Sequence, residues 1–283
     1  MNKRLLPVGS CLVALMCACG GKQENPQARE LLDNANAAFE QQDYALATTL
    51  LDSLQRTFPS ELGIQRESMA LRPKVIEQTA VLQLQQLDSL DAADTSTLTA
   101  LKPALKWVKT PGMIEGYWID AKAYNPNFMN TTGIEARVNE IGQFYIVSSV
   151  NPAGNLKHTS VTLKTGSESV TTQTVPYDGE SNYRLGGGEV ITFSPEQSDA
   201  IGFTAMQAVN ANPSATGTLI FNGAKNTKSI RLNAAQTAAI ANAYRYSSAV
   251  IRARDNQVLR QKLNRTIEIA RQQTAKTSAS ATE

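Results

Sequence analysis

The chain has 283 residues, with 27 lysines and arginines, 25 aspartates and glutamates, one histidine and three cysteines. Two of the basic residues, Lys3 and Arg4, stand at the very start, so the rest of the chain is neutral and shows no basic surface of the kind that binds nucleic acid. All three cysteines lie in the first 19 residues, which excludes disulfides within the remainder, and that remainder is long enough for one or two domains with an adequate core.

The first residues have the pattern of an export signal. Lys3 and Arg4 precede an apolar stretch from Leu5 to Met16, and the small residue Ala18 follows it. The stretch holds about 12 residues, whereas a helix needs about 20 to cross the hydrocarbon core of a bilayer. We therefore predict a signal peptide at residues 1–18 rather than a membrane-spanning helix.

The end of this signal is similar to a known cleavage motif. Met16, Cys17, Ala18 and Cys19 resemble the lipobox of bacterial lipoproteins, in which a small residue precedes the cysteine that is acylated. The resemblance implies lipidation of Cys19, with residues 19–26 as a tether to a membrane. Gly20 stands where an aspartate tends to retain lipoproteins in the inner membrane, which favours the outer membrane of the cell envelope. The alternative is an ordinary secretory signal with an incidental cysteine.

Residues 27–110 are predicted to be helical, and their first part is a hairpin of two amphipathic helices that meet near Gln42 and Asp43. The hairpin resembles one tetratricopeptide repeat (TPR), whose unit has about 34 residues. A single such unit cannot bury its apolar face alone, so a packing element is favoured over a peptide-binding groove. The matching residues are Leu31, Ala35, Ala38, Asp43, Tyr44, Ala47 and Pro59.

The second part of this helical region carries three expected interruptions. Pro73 predicts a break or restart, because proline lacks an N–H group and clashes with the preceding turn. The polar run from Asp91 to Ser96 predicts a turn and a new helix cap, followed by a short helix through Trp107. Pro111 and Gly112 then end the helical part.

Residues 111–232 are predicted to form a β-rich domain, an antiparallel sandwich or open barrel. The region alternates β-branched or aromatic runs with turns rich in glycine, proline and asparagine. Ser194, Pro195 and Gln197 predict the start of one helix within it. The expected strands are 114–123, 134–138, 143–150, 159–165, 169–175, 189–193, 217–221 and 228–232.

Residues 233–275 are predicted to form one long helix, and 276–283 a disordered tail. Residues 231–276 hold nine basic and two acidic side chains, whereas residues 20–95 hold six basic and twelve acidic ones. Complementary charge favours packing of the last helix against the N-terminal helices, as a helical, coiled-coil-like stalk into which the β-rich domain is inserted. The alternative is that its arginines contact anionic lipid headgroups.

Several kinds of chemistry are poorly supported. The only histidine, His158, is interpreted as a surface residue, and its isolation argues against zinc sites and against Ser-His-Asp or Cys-His catalysis. The turn from Asp178 to Asn182 offers oxygen ligands around a glycine but lacks the ligand spacing of a calcium loop. We therefore predict no metal, no cofactor and no enzymatic activity.

One aromatic cluster is a candidate ligand surface. Tyr117, Trp118, Tyr124 and Phe128 lie close together in the sequence among asparagines, as in a sugar-stacking surface, although alternation along a strand favours core packing for some of the rings.

The sequence as a whole indicates an α+β protein anchored through its N-terminal lipid to a membrane of the cell envelope. We expect a non-catalytic interaction or scaffold module whose partner is another envelope protein. The alternative is a lipoprotein that binds a glycan or small ligand through the aromatic cluster.

Overall fold

The computed structural model describes residues 24–280 and shows an α+β protein. This part of the chain contains five α-helices and two antiparallel sheets. By their contacts the described residues divide into two compact units, the first from residues 24–82 and 264–280 and the second from residues 83–263. Cys19 and the predicted signal peptide lie outside the described residues.

The first unit is helical and is built around a hairpin. Helix α1 spans Pro26–Glu40 and α2 spans Tyr44–Thr57. Asn25 and Asp43 cap the two helices, because each side chain accepts hydrogen bonds from N–H groups of the first turn. Small alanines let the helices approach closely. The core of the hairpin and the start of the next helix consists of Ala28, Leu32, Ala35, Ala38, Ala47, Leu51, Leu54, Ile64, Leu71 and Val75.

Helix α3 spans Leu62–Leu101 without interruption, so the predicted break at Pro73 and the predicted turn at residues 91–96 are both wrong. Leu71 and Val75, on either side of Pro73, are buried in the helical core, and this packing outweighs the loss of one hydrogen bond. Asp91 and Asp94 do not begin a new helix. Their carboxylates pair with side chains of the last helix instead.

Helix α5 spans Ala234–Ser280, five residues beyond the predicted end at 275. Within the second unit, Arg252 pairs with Asp94 of α3, and Arg260 pairs with Asp88 and Asp91. Within the first unit, an Arg271–Glu77 pair joins the same two helices. Arginines of α5 thus pair with acidic side chains of α3 in each unit.

The second unit contains both sheets. The strands are β1 Leu105–Val108, β2 Tyr117–Asp120, β3 Gly133–Asn139, β4 Phe144–Val150, β5 His158–Thr165, β6 Glu168–Thr171, β7 Asn182–Leu185, β8 Gly188–Thr192, β9 Gly217–Gly223 and β10 Thr227–Leu232. Sheet A has the strand order β1-β2-β3-β4-β8-β7 and sheet B the order β10-β9-β5-β6, with every neighbouring pair antiparallel.

All eight predicted strands overlap observed ones, but two strands were not foreseen. The expected short helix through Trp107 is wrong, because α3 ends at Leu101 and strand β1 follows it. Strand β7, Asn182–Leu185, was not predicted, because four residues are too few for alternation to identify a strand.

One face of sheet A, here called the first face, packs against sheet B, helix α4 (Pro195–Ala211) and the start of α5, and the main core of the second unit lies between these elements. Ser194 caps α4 with the predicted capping box, in which its hydroxyl and the Gln197 side chain each bond the other residue's backbone. Gly202 of α4 lies against the rings of Phe144 and Tyr244. The opposite face of sheet A, here the second face, carries Tyr117, Ile119, Tyr145, Val147 and Val190.

Candidate functional site

A groove of about 500 Å³ lies at the β3–β4 end of sheet A. Four parts of the second unit form it: the β1–β2 loop, the β3–β4 hairpin, the loop before β7, and the start of α4. Its lining includes Glu115, Asn139, Gln143, Tyr145, Thr174, Asp178, Ser181, Thr192 and Gln197. The lining is polar, with two carboxylates and no lysine, arginine or histidine, so the groove carries negative charge.

Three large, exposed apolar residues are close neighbours in sequence of residues that line the groove. Ile114 is 92% exposed and directly precedes Glu115 of the lining. Ile141 is 59% exposed at the tip of the β3–β4 hairpin, and Tyr177 is 61% exposed beside Asp178. We call these three residues the apolar rim. Large apolar side chains that are exposed to this extent mark candidate surfaces for binding another protein.

The β3–β4 hairpin fixes one wall of the groove. The Asn139 side chain accepts a hydrogen bond from the Gln143 N–H at 2.8 Å and donates one to the Gln143 side chain at 3.1 Å. Gly142 completes the turn at φ +87°, a conformation that favours glycine. The Ser247 hydroxyl of α5 donates to the Gly142 carbonyl at 2.6 Å, which ties the hairpin to the helix.

The four aromatic residues of the candidate ligand surface do not share one face. Tyr117 and Phe128 are buried on the second face of sheet A, and half-buried Tyr124 packs with Tyr117. Trp118 points to the opposite face, where it packs on the main core with its ring centroid 5.0 Å from that of Trp107. The Lys102 ammonium lies 3.1 Å from the centroid of the Trp118 ring. Burial leaves Tyr117 and Phe128 little surface for stacking on a sugar.

A buried ion pair lies among the rings of the second face. Arg137 donates from Nε and from a terminal nitrogen to Glu135, and its guanidinium carbon lies 4.1 Å from the centroid of Tyr117. Burial raises the pKa of Tyr117 to about 12 and also raises the pKa of Glu135 above its usual range, against the effect of Arg137. Among the described residues, none forms a hydrogen bond with the second Glu135 oxygen, Oε1.

A second buried network involves His158, so the interpretation of His158 as a surface residue is wrong. The ring lies between the sheets, with Nε2 3.0 Å from the Ser148 hydroxyl and Nδ1 2.9 Å from Glu189. Because a carboxylate only accepts, Nδ1 carries the proton and Nε2 accepts from the hydroxyl. The arrangement has the connectivity of a Ser-His-acid triad, although the isolation of His158 in the sequence argues against such catalysis.

The network is buried and cross-links the two sheets. Ser148, His158 and Glu189 are all buried, and none of them is among the residues that line the groove. Glu189 also accepts from the N–H groups of Lys157 and His158, both at 2.7 Å, and from Arg184 at 2.8 Å. The network joins β4 and β8 of sheet A to β5 of sheet B, and the Ser148 side chain within it is fully buried.

The two titrating groups of this network are shifted in the same direction. Burial lowers the pKa of His158, since the charged ring is disfavoured away from water, and the Glu189 hydrogen bond opposes this only in part. Burial alone would raise the pKa of Glu189, but the hydrogen bonds from His158 and Lys157 bring it below its usual value. The network therefore holds an ionised carboxylate beside a neutral imidazole.

Within residues 24–280, no group of three or more His, Cys, Asp and Glu side chains is placed to hold a metal ion. The Asp178 carboxylate is used within its own turn, where Oδ1 accepts from the N–H groups of Glu180 and Asn182, both at 2.9 Å. In the same part of the chain, no helix is both long enough and apolar enough to cross a bilayer.

Comparison with known proteins returned no matching family model, no similar curated protein and no similar solved structure.

Proposed function

We propose that the chain is a non-catalytic lipoprotein of the cell envelope that binds a segment of another envelope protein in the groove of its second unit. The observation that carries the proposal is the combination of a polar groove with the apolar rim of Ile114, Ile141 and Tyr177. Apolar rim residues supply buried area on binding, while the polar lining offers hydrogen bonds that set orientation.

The charge of the groove defines the partner's chemistry. Glu115 and Asp178 are the charged lining residues, and Glu140 stands next to Ile141 of the rim. Lys109 lies near Glu140, with 3.5 Å between ammonium and carboxylate. A neutral or basic segment with apolar side chains fits this surface, whereas an acidic segment would be repelled.

The test is chemical crosslinking in intact bacteria, and it compares the full wild-type chain with a rim variant and a control variant. A variant with Ile114→Ser, Ile141→Ser and Tyr177→Ser should lose a discrete crosslinked complex that the wild type forms. The matched control carries serine at three exposed apolar positions of the long helices: Leu90, Val258 and Leu259. It should keep the complex. Equal crosslinking by both variants would contradict a binding role for the rim.

The membrane anchor is a separate part of the proposal and has its own test. The lipobox resemblance places the acyl group on Cys19, with Gly20 favouring the outer membrane. A fatty-acid probe fed to cells should label the wild type and leave Cys19→Ala unlabelled. Equal labelling of both chains would refute the anchor without affecting the groove.

The finer architecture that we propose consists of a TPR-like α1–α2 hairpin in the first unit and a β-sandwich of sheets A and B in the second. The caps at Asn25 and Asp43 and the alanine-rich helix contact support the hairpin. The core shared by residues of both sheets supports the sandwich.

Glycan binding is a second candidate because amide and hydroxyl groups line the groove around the ring of Tyr145. It would use this lining in place of the buried Tyr117 and Phe128. Binding of envelope glycans that is lost in Tyr145→Ala and kept in Tyr183→Ala, a tyrosine outside the lining, would favour it over a protein partner.

A further inference from the structure

A second cavity, of about 310 Å³, lies in the second unit and shares no lining residue with the groove. The start of α5, strands β3 and β10, and the loop between β2 and β3 enclose it. Its lining residues are Lys122, Ala123, Asn125, Phe128, Thr131, Thr132, Gly133, Ile134, Ala136, Ile230, Leu232, Gln236, Ala239 and Ile240.

The cavity wall combines apolar and polar side chains. Its apolar part includes the aromatic ring of Phe128 and the half-buried Ile134 and Ile230, with Leu232 and Ile240 buried beside them. Amide and hydroxyl groups of Asn125, Thr131, Thr132 and Gln236 form the uncharged polar part. An apolar wall next to polar groups suits a ligand that has both an alkyl chain and a polar head.

Lys122 is the charged residue among those that line the cavity, so the charge of the lining is positive. Lys122 is exposed, and no carboxylate within residues 24–280 forms an ion pair with it. The Lys228 ammonium donates to the hydroxyl of the lining residue Thr132 at 3.1 Å and to the Pro152 carbonyl at 3.3 Å, both neutral acceptors. No aspartate or glutamate lines the cavity. The nearest carboxylate in sequence, that of Asp120, accepts from the Lys122 backbone N–H at 2.9 Å.

We propose that this cavity binds a single-chain alkyl carboxylate, with the chain inside and the carboxylate beside Lys122 and Lys228. An ammonium group with no ion-pair partner gains a charge-assisted hydrogen bond from such a head group. Contact of the alkyl chain with the apolar part of the wall removes the chain from water, which favours binding. A two-chain lipid would exceed the volume of the cavity.

The test uses the purified full chain and a photoreactive diazirine analogue of decanoate. After irradiation, labelled peptides should come from residues 122–136 and 230–240, and unmodified decanoate should compete for the label. The corresponding decanol analogue should label these peptides at least about tenfold less, because it lacks the charge that Lys122 and Lys228 recognise. Equal labelling by the acid and the alcohol would overturn the proposal.

Variants separate the head-group and chain contributions. Lys122→Gln combined with Lys228→Gln should weaken competition by decanoate at least about tenfold, whereas Lys225→Gln, on the exposed β9–β10 turn, should leave it unchanged. Ala239→Phe should abolish labelling by filling the cavity. If Ala239→Phe does not fold, the lysine variants and the acid-alcohol comparison still decide. Competition by a lysophospholipid but not by decanoate would overturn the choice of a carboxylate.

Discussion

At the scale of single residues, the Glu189 carboxylate carries the most concentrated set of interactions in the second unit. It accepts hydrogen bonds from two backbone N–H groups, from His158 Nδ1 and from Arg184, while its side chain is almost fully buried. Removal of one partner from a buried charged network leaves the others unpaired, and this accounts for large destabilisation in other proteins.

We therefore predict that Glu189→Gln lowers the free energy of unfolding by about 3 kcal/mol, because the amide cannot accept from all four donors. Denaturant titration of the purified variant measures the change. Glu168→Gln, an exposed change of the same kind on β6, is the control and should stay within about 0.5 kcal/mol of the wild type. A loss for Glu189→Gln no larger than for the control would contradict the role of the network.

His158 predicts a dependence of stability on pH. Its folded pKa is lowered by burial, so the unfolded chain takes up a proton that the folded chain does not, and stability is lost as pH falls below the unfolded value of about 6.5. The free energy of unfolding should fall between about pH 7.5 and 5.5, by at most about 1.4 kcal/mol per pH unit from this group.

His158→Asn tests this, since the amide can still donate to Glu189 but does not titrate. Its free energy of unfolding should change less over the same pH interval than that of the wild type. Parallel pH profiles for the two chains would show that His158 does not cause the dependence. The lowered pKa of Glu189 acts in the same direction, but only at lower pH, near and below the usual glutamate value.

The residue scale also shows why sequence reasoning placed His158 on the surface. Its partners Ser148 and Glu189 lie 10 and 31 residues away in the sequence. Pairing of β4 with β8 brings Ser148 and Glu189 near each other, and packing of sheet B against sheet A adds His158. By contrast, alternation along β2 correctly indicated that some of the aromatic rings would be buried. Tyr117 and Trp118 face opposite sides of sheet A because successive side chains of a strand do so.

At the scale of elements, the contact between α3 and α5 rests on ion pairs of unequal burial. Arg252 pairs at 2.6 Å with Asp94, whose side chain is only 5% exposed. The Arg271–Glu77 pair of the first unit has an arginine that is 65% exposed. Exposed pairs contribute little because water screens them, whereas a buried carboxylate depends on its partner.

We predict that Asp94→Asn lowers the free energy of unfolding by about 1–3 kcal/mol. Arg271→Ala should lower it by less than a third of that amount, and Asp33→Asn, an exposed acidic residue of α1, should leave it almost unchanged. Chemical denaturation of the three variants measures the order. Equal losses for Asp94→Asn and Arg271→Ala would contradict the importance of burial.

A close contact between elements gives another prediction. Gly202 of α4 lies where an added methyl group would overlap the ring of Tyr244 and lie 2.8 Å from Phe144 Cε1. These two rings pack edge to face at 5.4 Å between centroids. Gly202→Ala should destabilise the chain by about 1–3 kcal/mol through overpacking, despite the better helix propensity of alanine. A thermal melt at or above that of the wild type would contradict this.

The elements show where sequence patterns succeed and fail. The capping pattern at Ser194 predicted the start of α4, because capping depends on residues a few positions apart. The predicted start of the last helix, residue 233, lies one residue before the observed start of α5 at Ala234. The polar run at residues 91–96 wrongly indicated a turn, because Asp91 and Asp94 lie within a helix and form ion pairs with α5. Such partners are distant in sequence, so local patterns cannot separate an ion-pairing helix face from a turn.

At the scale of the whole molecule, regional charge predicted that α5 arginines would meet acidic side chains of the N-terminal helical region, and Arg252, Arg260 and Arg271 do so. The groove and the second cavity could not be predicted, because their linings come from loops and strands far apart in the sequence. Tertiary packing alone brings Glu115, Asn139 and Asp178 to one depression.

Site-specific photo-crosslinking in living bacteria tests the central claim of a protein-binding groove most directly. A photoreactive amino acid is placed at Ile114, Ile141 or Tyr177 of the rim, or at Lys225 as an exposed control on the β9–β10 turn. We predict that the three rim positions form adducts with the same envelope protein and that Lys225 does not. Adducts of equal yield from Lys225, or no protein adduct from any rim position, would contradict the account.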